Sequence, residues 1–263
     1  MTSGDATALP DAGASRVTRF LLSPWIARLA LVLSVLIIWG IADVADLVSP
    51  LVLPSMSAVA EKTALLITET STWQQLGITS FEVLVAFILS TAVGLLIGGW
   101  SSRRRRTADL VSTLAAWGQL VPLVTVYPVF LLSMGIGPPS KIAYAGVLAV
   151  FPVVLATVRA LETVDRRLVT VAKSLGASSG AVFWQIELPA ARNGILSGVR
   201  VGAALSLIGV ILGEMLGSSQ GIGAAITASG QTFDTDTLYA YILFTLTLTL
   251  IFNWVITRGY GGD

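Results

Sequence analysis

The sequence predicts an all-α, polytopic membrane protein with six transmembrane helices. Three observations predict it. Of 263 residues only 12% are charged and 54% are hydrophobic, with a mean hydropathy of +0.83; a soluble domain carries about 25% charged residues. Six stretches approach the roughly 20 mostly apolar residues that a helix needs to cross a bilayer. The basic residues also collect on alternate connections, the pattern that fixes orientation in a membrane.

The first span runs from about Trp25 to Ala42. It reads as a retained helix rather than a cleaved leader, because its polar lead-in is long, contains Asp5 and Asp11, and is followed by no small-residue cleavage site. Residues 1–24 are then a cytoplasmic N-terminal segment and 25–263 the transmembrane domain. Leu53-Pro54-Ser55 reads as a turn into an outer surface helix from about Ser57 to Thr68, with Val59, Leu65 and Leu66 on its apolar side. The second span is about Phe81 to Trp100, the third about Leu110 to Met134 and the fourth about Ile142 to Leu161. The fifth is about Ile195 to Leu216 and the sixth about Leu238 to Ile256. Pro122, Pro128 and Pro152 fall within spans, where a missing backbone donor bends a helix.

With both termini in the cytoplasm, the run Arg103 to Arg106, Arg159, Arg166, Arg167, Lys173, Arg192, Arg200 and Arg258 lie inside, and only Lys62 and Lys141 outside. The tetra-arginine run is a stop at a membrane edge near anionic lipid rather than a nucleic-acid patch. Glycines a helical turn apart let backbones approach. Gly94 with Gly98, Gly198 with Gly202, and Gly209 with Gly213 have that spacing and read as intrachain helix packing. Glu214 and Glu82 lie near outer span ends, so neither requires a proton relay, and Arg200 near an inner end can extend its charge to the interface.

Much chemistry is excluded. The chain has no cysteine and no histidine, hence no thiolate or imidazole nucleophile, base or metal ligand. It has no G-x-x-x-x-G-K-[ST] phosphate loop. Asp234 and Asp236 form a loop pair that reads as solvated rather than calcium-binding. The chain is expected not to be an enzyme and to hold no cofactor or metal.

One polar insert interrupts the oil: "VAKSLGASSGAVFWQIELP", Val171 to Pro189, in a cytoplasmic loop of about 162–194. It reads as a helix from about Arg167 to Leu175, a break at Gly176, and a second helix capped by Ser178 or Ser179 and stopped by Pro189. Val182, Phe183 and Ile186 share one face of the second helix. That apolar face needs covering, by a lipid interface or by another protein.

The stretch "AKSLGASSGAVFWQIELPAARNGILSGVRVG" resembles the EAA signature loop of the permease subunits of ABC importers. "GEMLGSSQGIGAAI" and "VPLVTVYPVFLLSMGIGPPSKI" are similar to the binding-protein-dependent type I subfamily that imports sulfonates, taurine, nitrate, bicarbonate and thiamine-precursor pyrimidines. The resemblance covers roughly Leu53 to the C-terminus. It implies a type I importer permease fold in the cytoplasmic (inner) membrane. It also implies a loop that docks into a separate ATP-binding subunit through Ala172, Gly176, Ala177, Phe183, Ile186 and Pro189. ATP and magnesium would sit on that subunit. A second permease chain, identical or not, and an extracytoplasmic binding protein would complete the assembly, in lipid and without nucleic acid. Tyr127, Glu214 and Met215 are the pathway candidates, with packing the competing reading for each. The chain departs from the family where Thr170 stands in place of the motif's acid and Val171 in place of its first alanine, with Ala156 where an asparagine is common. The competing functional classes are a self-sufficient channel or secondary carrier, in which the loop is a membrane-surface helix, and a non-transporting membrane scaffold.

Overall fold

A computed structural model of the chain describes residues 24–260. The N-terminal segment through residue 23, with Arg16 and Arg19, lies outside the described residues. The chain divides into two compact units between Ala58 and Val59. In the first, α1 (Pro24–Val44) is followed by a turn in which the Trp39 indole donates to the Pro54 carbonyl at 3.0 Å. Asp43 accepts from the Met56 amide at 3.1 Å. Ser55 caps the next helix by accepting from the Ala58 amide at 3.2 Å, so the expected turn into a helix is a serine N-cap. That helix, α2, covers Met56–Thr68, so the division falls within its first turn and Val59 onward belongs to the second unit. Val59 and Leu66 on it are buried, whereas Leu65 is exposed.

The second unit is a stack of helices around one central member. Its elements are α3 (Thr70–Ser101), α4 (Arg105–Leu120), a 3-10 turn (Leu123–Val126), α5 (Tyr127–Met134), α6 (Pro138–Glu162), α7 (Arg166–Ser174), α8 (Ser179–Val182), a π-helical turn (Phe183–Glu187), α9 (Leu188–Gly217), α10 (Ile222–Gln231) and α11 (Thr235–Tyr260). α6 is the centre: α9, α3 and α4 all pack on it. Its Tyr144, Ala145, Ala149 and Val153 are wholly inaccessible.

Glycines set how close these helices come. A methyl on Gly94 of α3 would stand 2.6 Å from Val153, and one on Gly98 2.6 Å from Thr157. On α9, a methyl on Gly198 would stand 2.2 Å from Ala156, on Gly202 2.6 Å from Val153, and on Gly209 2.7 Å from the Ala145 Cα. Gly213 is slightly looser, with 3.2 Å to Lys141 and Tyr127. The glycines of α3 and α9 thus press against a small-residue surface of α6, and no side chain fits between them. The Ala156 that departs from the expected family residue lies in this contact, directly under Gly198.

Among the described residues, five helices are long and apolar enough to cross a membrane, and a sixth crossing exists only if a bent pair counts as one. The bent pair is the predicted third span. It is α4 followed by Leu123–Met134, at 80° to each other. The cause is Pro122, which has no amide to donate and favours extended backbone at the residue before it; Val121 is at φ −69, ψ 126. At the other end of the chain Asp234 caps α11. The Thr237 amide donates to it at 3.2 Å and the Thr237 hydroxyl at 2.6 Å. These bonds hold its carboxyl below the usual carboxylate range, with Lys62 adding a favourable charge.

Candidate functional site

Two constructions stand out. The first is the polar insert between α6 and α9. Asp165 caps α7 by accepting from the Arg167 amide at 2.9 Å. The helix then ends in a Schellman motif, with the Ala177 amide donating to the Ala172 carbonyl at 3.0 Å and the Gly176 amide to the Lys173 carbonyl at 3.0 Å. Gly176 takes φ +86, a left-handed conformation that a β-carbon resists. Ala172, Gly176 and Ala177 are therefore the parts of one helix stop. Ser178 starts α8 by accepting from the Ala181 amide at 3.3 Å.

Pro189 does not stop this second helix, contrary to expectation. The backbone widens into a π-turn, the Leu188 amide reaches back to the Phe183 carbonyl, and α9 starts with the proline in its first turn. A proline lacks the amide that the preceding turn would have used, and a π-turn just before it absorbs the ring. Helix runs without a sharp bend from Ser179 to Gly217, 39 residues.

The side chains of the insert divide sharply. Val169 and Val182 are buried. Phe183 is partly buried and turned onto the chain's own helices, beside Gly99, with the Arg103 guanidinium 5.9 Å from its ring. Ile186 is partly covered and Pro189 is exposed. Facing outward are Leu168 and Val171 of α7 and Leu175 at its C-cap, spaced i, i+3, i+7, together with Trp184; Leu175 is 83% exposed. A polar cleft of about 410 Å³ beside them is lined by Arg103, Arg166, Lys173 and Glu187 among others. The expectation centred on the second helix, yet the larger exposed apolar surface is on the first. Its i, i+3, i+7 pattern was the signal that could have found it.

The second construction is a buried polar nest joining α3, α6, α9 and α10. Lys141 of α6 and Glu82 of α3 form an ion pair at 2.7 Å, their side chains 2% and 0% exposed. Lys141 also donates to Ser218 at 3.2 Å. Lys141 was expected in an outer loop; α6 begins earlier, at Pro138, and carries it inside. Glu214 is buried as well and is fully engaged. Thr79 donates to one of its oxygens at 2.7 Å and the Gly223 amide to the other at 2.8 Å. Thr79 in turn accepts from the Ile222 amide at 2.9 Å, and Gln75 from the Gly221 amide. A carboxylate, a hydroxyl and an amide oxygen thus hold the first amides of α10, where the helix dipole favours negative charge. Tyr127 lies inside the protein, its ring 5.1 Å from that of Tyr144. Met215 is 39% exposed.

A family model described as the binding-protein-dependent transport system inner membrane component matches residues 90–258. A Bacillus subtilis protein whose name assigns it to aliphatic sulfonate transport as the permease SsuC is 29% identical over 219 residues, 83% of this chain and 79% of that protein. The riboflavin transport system permease protein RibX of Chloroflexus aurantiacus is 28% identical over 201 residues, 76% of this chain and 75% of that protein. The fold is similar to a solved chain of the MetNI methionine ABC transporter in an inward-facing conformation. The TM-score is 0.53 at 16% identity, covering 73% of this chain and 94% of that one.

Proposed function

The chain belongs to the family of binding-protein-dependent transport system inner membrane components, and from that premise we propose how this permease subunit of an ABC importer receives the work of its ATPase. ATP is hydrolysed on a separate subunit. A binding protein on the far face supplies the solute, and two permease chains enclose the pathway. The spans number six, with both termini and the polar insert on the cytoplasmic side. The solute is a small sulfonate or similar anion, or a heterocycle; relatives named for sulfonates and for riboflavin keep both classes open.

The observation that carries this reading is the outward apolar row on a helix pair with fixed ends. Leu168, Val171, Leu175 and Trp184 are all more than half exposed, on a chain that has no phosphate loop of its own. We assign the docking surface to that row. Ala172, Gly176 and Ala177 set its shape, while Phe183 seats the loop on the chain's own helices, Ile186 backs it and Pro189 joins it to α9. Burying a leucine is worth ~1.5–3 kcal/mol. Leu175→Asp should therefore weaken co-purification of the ATPase about tenfold or more, abolish uptake in proteoliposomes supplied with ATPase and binding protein, and leave permease yield unchanged. Wild-type uptake by this variant would overturn the reading. A charge at Phe183 should instead lower permease yield, because that ring packs internally.

A further inference from the structure

α9 and α11 leave a groove of about 400 Å³ between them, lined chiefly by aliphatic side chains such as Leu207, Ile211, Leu250 and Phe252. Arg200 and Asn253 line the same groove. Arg200 is exposed and, among the described residues, forms no ion pair. From Arg200 to Leu212, the limits of the α9 wall, is twelve residues, or ~18 Å of helix. One leaflet of a ~30 Å hydrocarbon core is ~15 Å deep. The groove is thus one leaflet long, apolar along its length, and charged at the end nearer the polar insert. Just beyond Asn253 on α11, the Arg258 guanidinium stacks 4.6 Å over the Trp254 ring, the kind of pair found where hydrocarbon meets headgroups.

We propose that this groove holds one anionic phospholipid of the leaflet beside the polar insert. Its phosphate sits on Arg200 and Asn253, and one acyl chain runs along Leu207, Ile211 and Phe252. A second protein copy would fill the apolar walls but leave a guanidinium covered and unpaired, which is costly. A zwitterionic lipid would not neutralise it. The proposal does not depend on which solute is carried.

The test uses the purified importer complex in detergent with equal amounts of phosphatidylglycerol and phosphatidylcholine of one chain length, the retained lipids being counted by native mass spectrometry. The wild type should retain phosphatidylglycerol over phosphatidylcholine by about fivefold, the preference one arginine near the headgroups supplies. Arg200→Gln should bring the ratio to about one, Arg200→Lys should keep most of it, and Arg106→Gln should leave it unchanged. Ala204→Phe fills the groove without removing the charge and should abolish the retained lipid. An unchanged ratio in Arg200→Gln, or unchanged retention in Ala204→Phe, would overturn the proposal. So would efficient cross-linking of two copies through Ile208→Cys in native membranes.

Discussion

Lys141 shows how much one residue's neighbours decide. A lysine in a loop costs nothing; at 1% exposure it survives only because Glu82 meets it at 2.7 Å. Removing one member of such a pair leaves an uncompensated buried charge, at a cost of about 3–5 kcal/mol. Lys141→Met should therefore collapse the yield of folded protein on a sizing column. The double variant Lys141→Met, Glu82→Leu should recover most of it, and no recovery would mean that the pair does more than neutralise itself. Gly198 makes the same point in steric terms. Its missing β-carbon would stand 2.2 Å from that of Ala156, so Gly198→Leu must separate α9 from α6. Loss of assembly is expected, read as aggregation in detergent.

At the scale of elements, most of the helices were legible and their joints were less so. The stop at Gly176 and the cap at Ser178 follow from local chemistry, and the structure has both. Gly176→Ala places a β-carbon at φ +86, which costs roughly 1 kcal/mol. It should lower the thermal midpoint by a few degrees and reduce ATPase coupling more than permease yield. Proline rules alone do not fix the joints. They make Pro189 a terminator, but the π-turn that accommodates it has no sequence signature of its own. They make Pro122 a bend inside a span, whereas it separates two segments by 80°. The polar nest was illegible for another reason. Gln75, Thr79 and Glu82 stand a turn apart on α3, but Lys141 and Glu214 are far from them along the chain, and only the close packing around α6 brings the three groups together.

At the scale of the whole molecule, the sidedness of the membrane can be tested on one continuous helical run. Ser179 and Ser219 lie at and just beyond its two ends, and both are exposed. Because the chain has no cysteine, single cysteines there report cleanly. Ser219→Cys should react with an impermeant maleimide added outside intact cells, and Ser179→Cys only after permeabilisation; the reverse pattern would invert the orientation. The run itself has a mechanical consequence. Its 39 residues amount to ~58 Å of helix, about twice the ~30 Å hydrocarbon core. It carries the polar insert at one end and the carboxylate clasp of α10 at the other. Such a rod acts as a lever. Tilted by about 5° around its glycine-packed middle, each end swings ~2.5 Å, in opposite directions. A push of that size on the insert would then arrive at the clasp as an equal and opposite displacement, comparable to a hydrogen-bond length.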